Sequence, residues 1–416
     1  MKKVLMISDH FYPNNVIGAL RPTKIAKKLQ KAGYEVDVLT RYRVAEQEQA
    51  AMGIRIYGFE DYVKPQQASG AGKQHGRVYA FLYAILSAVR ILKNAVKTRK
   101  QWQKILAEEK GLAKSYDAVF SSFGPLSSVL GGMYCKKVNP VAKWICDFRD
   151  PVVVKYISPL LRPVFRHLEK KACKRADAIV AVSNGYLDRI CRGKYSDKAV
   201  MIPNGYDAED MNFATDTAMP QDCLSLTYVG ALYGGDRDLS PLFRAVRELA
   251  DEGAIDLQRF CVQYAGREYH EMCRQAGKYQ LEHIVKDNGM LSREDCLKLQ
   301  FSSHMLLLST WNDKNEYGVF PGKLLEYMLI GKPIVSITNG KLPGGEVTRV
   351  IREGDLGVAY ETACDAVDFP LLKEYLKTAY GQFAGQGSIC FEPKEAVLSR
   401  YNYVTVIKQI EDLIHE

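Results

Sequence analysis

The chain has little of what most readily identifies a chemistry. Its ten cysteines lie between Cys135 and Cys390 in 416 residues, and no two stand at a C-x-x-C spacing. The pattern of a zinc site or a dithiol redox pair is therefore missing, and the cysteines read as reduced core residues. Seven histidines show no metal-ligand grouping, so metal-free chemistry is the expectation. No G-x-G-x-x-G follows the first apolar run and no G-x-x-x-x-G-K-[ST] occurs, which removes the main support for a dinucleotide dehydrogenase or a P-loop enzyme. The longest apolar stretch, residues 78–89, falls short of the roughly 20 residues that cross a bilayer as a helix. Met1-Lys2-Lys3 begins like a signal peptide, but Ser8-Asp9 cuts the apolar run after Ile7, so the chain is expected to stay in the cytoplasm. Helix-turn-helix, RNA-recognition and zinc-finger patterns are missing too, which speaks against a nucleic-acid partner. There is no internal repeat of short period and no low-complexity tract.

What is present divides near the middle. A chain of this length exceeds one hydrophobic core, so two domains are expected. Residues 1–200 hold 36 Lys+Arg against 16 Asp+Glu, whereas residues 201–416 hold 21 against 32. Such an asymmetry points one half towards an anionic surface. Strand-like runs at 4–8, 35–40, 118–121, 142–147 and 178–182 alternate with helical stretches such as 20–32, and the pattern returns at 224–229, 260–265, 284–288, 305–308 and 334–337. This alternation predicts α/β domains with doubly wound parallel sheets. Residues 66–76, with Ser69-Gly70-Ala71-Gly72, read as a mobile loop, and residues 396–414 as a helix.

The most informative stretch is Phe320-Pro321-Gly322-Lys323-Leu324-Leu325-Glu326-Tyr327, closed by Gly331-Lys332-Pro333. Pro321 suits a helix start, Gly322 admits a ligand to the backbone, and the free amides with the positive dipole end favour an anion. Lys323 adds a cation, and Glu326 lies about one turn further on the same face. A nucleoside diphosphate offers the matching groups in that order, a diphosphate and then a ribose diol that donates to a carboxylate. Simple packing with a surface Lys-Glu pair is the alternative.

This segment resembles the donor-site helix of the family 4 glycosyltransferases of the GT-B fold, many of which carry Phe-Pro-x-Lys-x-x-Glu-Tyr followed by Gly-Lys-Pro. The resemblance implies two Rossmann-like domains facing across a cleft: an acceptor-side and membrane-facing domain (1–204), a nucleotide-sugar donor domain (205–394) and a last helix (395–416) crossing back to the first. Ile202-Pro203-Asn204-Gly205-Tyr206-Asp207 resembles the interdomain turn of the family. It further implies a metal-independent, retaining hexosyltransferase using a UDP- or GDP-linked sugar, with no other cofactor. The acceptor would be a glycan or a lipid-linked hydroxyl, as in polysaccharide biosynthesis. The family's first glutamate, eight positions before Glu326, is replaced by Gly318, with Glu316 nearby.

Further candidates follow from the same comparison. Gly18, in the loop after the first strand, matches a glycine that lets the backbone approach the donor. Asp147-Phe148-Arg149-Asp150-Pro151 resembles an Asp-x-Arg-Asp-Pro element: Asp147 is the candidate to orient or deprotonate the acceptor, and Arg149 and Asp150 lie on the acceptor side. A pair that only ties a loop together is the plain reading of the same residues. In Tyr228-Val229-Gly230-Ala231-Leu232-Tyr233-Gly234-Gly235-Asp236-Arg237 the glycines leave room for a diphosphate, with Gly230 at the donor. Arg237 occupies the place of a family arginine, and Lys323 has to serve as the second cation because the usual lysine after it is absent. Asp236 and Asp238 spell Asp-x-Asp, too short to argue for a metal.

Arg90, Lys93, Lys97, Lys100 and Lys104 recur at steps of three and four, which puts them on one helical stripe. With the apolar, aromatic stretch before it, the stripe suits a peripheral helix on the anionic inner face of the cell membrane, or else a core helix with a basic edge. Two rivals to the transferase are a nucleotide-sugar-binding partner subunit without turnover and a nucleotide-sugar epimerase of the same architecture.

Overall fold

The computed structural model describes residues 2–14, 16–63, 77–108, 112–154, 157–207, 209, 219–314 and 316–416. They form two compact units, Met1–Pro203 with Val404–Glu416, and Asn204–Tyr403. The first is built on seven parallel strands: β1 (Lys3–Ile7), β2 (Glu35–Leu39), β3 (Arg55–Tyr57), β4 (Ala118–Phe123), β5 (Lys143–Phe148), β6 (Ala178–Ala181) and β7 (Ala199–Met201), in the order β3-β2-β1-β4-β5-β6-β7. The second has six: β8 (Leu224–Val229), β9 (Phe260–Ala265), β10 (Val285–Asp287), β11 (Met305–Trp311), β12 (Ile334–Asn339) and β13 (Gly357–Glu361), in the order β10-β9-β8-β11-β12-β13. Helices flank both sheets, as the alternation predicts.

Strands covered on both faces must be apolar throughout, and the inner ones are. Val4, Leu5, Met6 and Ile7 are fully buried in β1, as are Val335 and Ile337 in β12. Strand order reverses between β1 and β4 in the first sheet and between β8 and β11 in the second. Ligands of open α/β sheets sit beyond the carboxyl ends of the strands at such a reversal, so the loops after β1, β4, β8 and β11 are the places to look.

The helix Arg77–Glu108 unites the apolar stretch and the basic stripe in 32 residues. Ala88, Ala95 and Trp102 bury one side of it in the first domain's core, and Trp102 donates to the Thr40 carbonyl oxygen (2.8 Å). Arg90, Lys93, Lys97, Lys100 and Lys104 are exposed on the other side. Among the described residues no helix is long and apolar enough to cross a membrane. The loop expected at 66–76 lies outside the described residues.

Two expectations change. The helical segment near the C-terminus is broken: Glu395–Leu398 and Tyr403–His415 are separate helices. Between them Asn402 pairs with Tyr206, whose amide donates to the Tyr401 carbonyl oxygen (2.7 Å) and whose carbonyl accepts from Tyr403 (3.1 Å). A backbone bonded to a distant residue in this way cannot also continue a helix. In addition, β3, β7 and β13 join the sheets at positions where no strand was expected. β13 starts at Gly357, whose φ of 130° and close approach to Ile334 leave no space for a Cβ.

Candidate active site

In the first domain the expected residues meet at the carboxyl end of the sheet. Asp147, next to last in β5, is fully buried. Its carboxylate accepts from Arg21 Nη2 (2.8 Å) and Nε (3.1 Å) and from the Ser122 hydroxyl (2.9 Å). Arg21 in turn donates to the Pro203 and Ile202 carbonyl oxygens (2.6 and 3.1 Å). A carboxylate enclosed this way holds a loop in place through Arg21. Of the two readings given to the element, the tie fits Asp147.

Arg149 donates to the carbonyl oxygens of Phe123 (2.9 Å), Gly124 (2.9 Å) and Gly18. A Cβ on Gly18 would meet Arg149 Nη1 at 3.1 Å and His10 Cδ2 at 3.3 Å. The room that Gly18 leaves is therefore taken by protein side chains. His10, which the sequence did not single out, sits beside Asn14 (Nδ1 to Nδ2, 3.2 Å), and burial pushes its imidazole below the ordinary value. Asp150 is exposed.

The second domain is arranged differently. The helix Gly322–Ile330 starts after Pro321 with no side chain capping it and ends at Gly331, whose φ of 71° is left-handed. Leu324, Leu325, Tyr327 and Met328 anchor it, and the Tyr327 hydroxyl donates to the Leu307 carbonyl oxygen on β11 (3.0 Å). Nothing lies within 4 Å of a Cβ placed on Gly322. Lys323 points back across the end of β8: its Nζ is 5.4 Å from the Tyr228 ring centroid, and a Cβ on Gly230 would come within 2.4 Å of it. This nitrogen is shielded from solvent and has no hydrogen-bond partner. Burial, and secondly the nearby Arg237 charge, lower the Lys323 ammonium to a pKa of about 8.

Arg237 lies alongside. Its Nη1 donates weakly to the Tyr228 hydroxyl (3.4 Å) and the Ala231 carbonyl oxygen (3.3 Å), and its buried Nε has no partner. Glu326 forms an ion pair with the exposed Arg293 (3.1 Å). The structure thus brings Gly230, Arg237, Lys323 and Glu326 to one end of the second sheet. The glycine-rich turn is less open than its sequence suggests, because the Glu268 carboxylate accepts from the amides of Leu232 (2.6 Å), Tyr233 (3.2 Å) and Gly234 (2.7 Å). Asp238 accepts from the Ser240 amide (2.9 Å) and pairs with Lys278 (3.5 Å), which accounts for the second half of the Asp-x-Asp. Gly318 has a φ of 78°, a conformation that a glutamate there would adopt only under strain. Tyr228, Glu268 and Arg293 also border this end of the sheet and were not foreseen as site residues; the one hint was that Tyr228 lies two positions before Gly230, near the end of the strand that leads into the glycine turn.

Known proteins bear on this arrangement. Residues 23–210 match the family model described as Glycosyltransferase Family 4. No curated protein matches the chain by sequence. Among solved structures, sucrose-phosphate synthase from Thermosynechococcus elongatus is similar over 100% of this chain and 98% of its own, at 16% identity and a TM-score of 0.59. The lipopolysaccharide outer core galactosyltransferase WaaB is similar over 100% and 99%, also at 16% identity and 0.59. WaaG, a glycosyltransferase involved in lipopolysaccharide biosynthesis, is similar over 99% of both chains at 13% identity and 0.51. At such identities the likeness is one of fold: the chain has the two-domain architecture of these GT-B glycosyltransferases, and the family-model match lies in its first domain.

Proposed function

We propose that the chain transfers a sugar from a UDP- or GDP-linked donor to a hydroxyl of a glycan or lipid-linked acceptor, in polysaccharide biosynthesis, without a metal ion and with retention of configuration. One observation carries this reading: Lys323 Nζ is shielded from water with no partner, next to Arg237, whose Nε is likewise unsatisfied. Two such cations repel each other and lose their hydration, a cost that a bound dianion removes. In the reaction the bond between the anomeric carbon and the diphosphate oxygen breaks and its electron pair leaves with the diphosphate. The acceptor oxygen bonds to that carbon and passes its proton to the departing diphosphate oxygen. Arg237, Lys323 and the free amides at the start of the helix Gly322–Ile330 stabilise the departing charge. Glu326 binds the ribose hydroxyls, exchanging Arg293 for them. Asp147 keeps Arg21 and the 202–203 carbonyls in place, and Arg149 and Asp150 serve the acceptor side.

A nucleotide-sugar binder without turnover is the second reading, favoured by the left-handed glycine at 318 where the family has a glutamate. A thermal-shift screen of UDP, GDP, ADP and their sugars on wild type, Lys323→Ala and Glu326→Ala tests the site. The matching nucleotide should stabilise wild type most, and equal stabilisation of all three proteins refutes the assignment. Release of nucleoside diphosphate from the matching sugar separates enzyme from binder.

The helix Arg77–Glu108 supports a peripheral membrane role at the inner face of the cell membrane. Leu82, Tyr83 and Leu86 are 53%, 53% and 68% exposed ahead of the five basic residues, and Lys93, Lys97 and Lys100 have no acidic partner among the described residues. Full-length protein should sediment with vesicles containing phosphatidylserine and not with phosphatidylcholine alone. Glutamate at Lys93, Lys97 and Lys100 should abolish the difference.

A further inference from the structure

The turn after β8 is held in a costly shape. Tyr233 has a φ of 54°, in the left-handed region that bulky residues seldom occupy. Glu268 clamps one end of the turn through three amides. At the other end the fully buried Gln275 donates to the Arg237 carbonyl oxygen (3.1 Å) and accepts from the Leu239 amide (2.7 Å). Both ends are therefore tied to the segment that follows β9. Core packing does not explain the strain, since Tyr233 is 55% exposed. What the shape does achieve is the placement of its ring. Tyr233 meets Trp311, the last residue of β11, edge to face at 5.9 Å and 79°. The Arg237 guanidinium carbon lies in the corner between them, 4.7 Å from the Tyr233 ring centroid and 5.5 Å from that of Trp311.

We propose that Tyr233 and Trp311 are positioning residues that hold the Arg237 guanidinium ready for the anion it shares with Lys323. The inference rests on the diphosphate reading of Arg237 and Lys323, and adds two aromatic side chains that act through Arg237. An arginine ordered in advance loses less freedom when the anion arrives. Cation–π contacts of this kind correspond to about a three- to tenfold difference in binding.

The test is calorimetric titration of the full-length protein with inorganic pyrophosphate at pH 7, in buffer free of divalent cations. Pyrophosphate has no sugar or base, so stacking of rings on a donor cannot contribute. Trp311→Ala should weaken binding about three- to tenfold, and Trp311→Phe should recover most of the loss. In an Arg237→Ala background Trp311→Ala should add nothing, because its effect passes through that guanidinium. Equal weakening in both backgrounds, or none in the wild type, overturns the inference. If Trp311→Ala melts early, the exposed Tyr233→Ala replaces it in both backgrounds, with the same results expected and the same results overturning the inference. Should Arg237→Ala and Lys323→Ala both bind pyrophosphate as tightly as wild type, the diphosphate reading itself fails and the clamp goes with it.

Discussion

The two sheets reverse their strand order in the same way, yet the cations at their switch points are satisfied to different degrees. In the first domain Gly18 after β1 and Gly124 after β4 flank the reversal, and Arg149 spans it by donating to both carbonyls. Arg21 and Asp147 complete each other close by. In the second domain Gly230 after β8 and Trp311 ending β11 flank the reversal, and the cations gathered there are only partly satisfied: Lys323 Nζ and Arg237 Nε have no hydrogen-bond partner. Topology says where a ligand can sit in either sheet. The unsatisfied cations are what favour the second of the two for the proposed diphosphate.

Replacing one cation in each domain by methionine breaks this comparison most sharply. Arg21→Met leaves Asp147 buried and unpaired, and should lower stability by about 3–5 kcal/mol in denaturant unfolding. Lys323→Met removes a buried ammonium whose desolvation and repulsion by Arg237 outweigh the attraction of Glu326, and should raise the thermal midpoint while lowering turnover about 10²- to 10³-fold. The linkage gives the stability effect a pH window. The folded Lys323 pKa of about 8 lies below its ordinary value of 10.5, so between those values the unfolded chain holds the extra proton. The cost of burying the charge is therefore full below pH 8 and fades as pH rises towards 10.5. A destabilised Lys323→Met at pH 7 would contradict the account of the site.

The comparison also marks what could be read from the residues alone. Inner strands such as β1 and β12 announce themselves because a strand covered on both faces has to be apolar along its length. β3 and β7 have three residues each, too few to show a pattern, and β13 opens on a glycine that local propensity counts against a strand. The break at Asn402 comes from pairing with Tyr206, which no periodicity encodes. At the site, Lys323 and Glu326 were legible because helical spacing puts them on one face. The partner of Asp147 lies 126 positions away, and Tyr233, Glu268 and Trp311 come from three separate segments, so only the folded sheet brings them together.

Glu326→Gln keeps the shape and removes the charge. Hydrogen bonds to a charged group contribute about 1.5–3 kcal/mol, so nucleoside diphosphate binding should weaken about 10- to 100-fold. Inorganic pyrophosphate, having no ribose, should bind as before, and a parallel loss for both ligands would remove Glu326 from the ribose role. A smaller effect comes from pH. The anion needs the Lys323 ammonium, whose pKa is about 8, so affinity for the matching nucleoside diphosphate should be about tenfold weaker at pH 9 than at pH 7. Lys323→Arg, charged throughout, should flatten that dependence.

The smallest expected effect decides how Glu326 is used. Arg293 pairs with Glu326 at 3.1 Å, but its side chain is 71% exposed, and exposed pairs contribute at most about 1 kcal/mol. Arg293→Ala should thus barely move the melting temperature. Its effect on ligand is more telling. If Glu326 exchanges Arg293 for the ribose hydroxyls, removing Arg293 takes away a competitor, and nucleoside diphosphate affinity should stay level or rise by up to about fivefold. A clear loss of affinity would mean that Arg293 itself grips the nucleotide, so that the site holds three cations for its anion and the contrast with the first domain is larger than drawn.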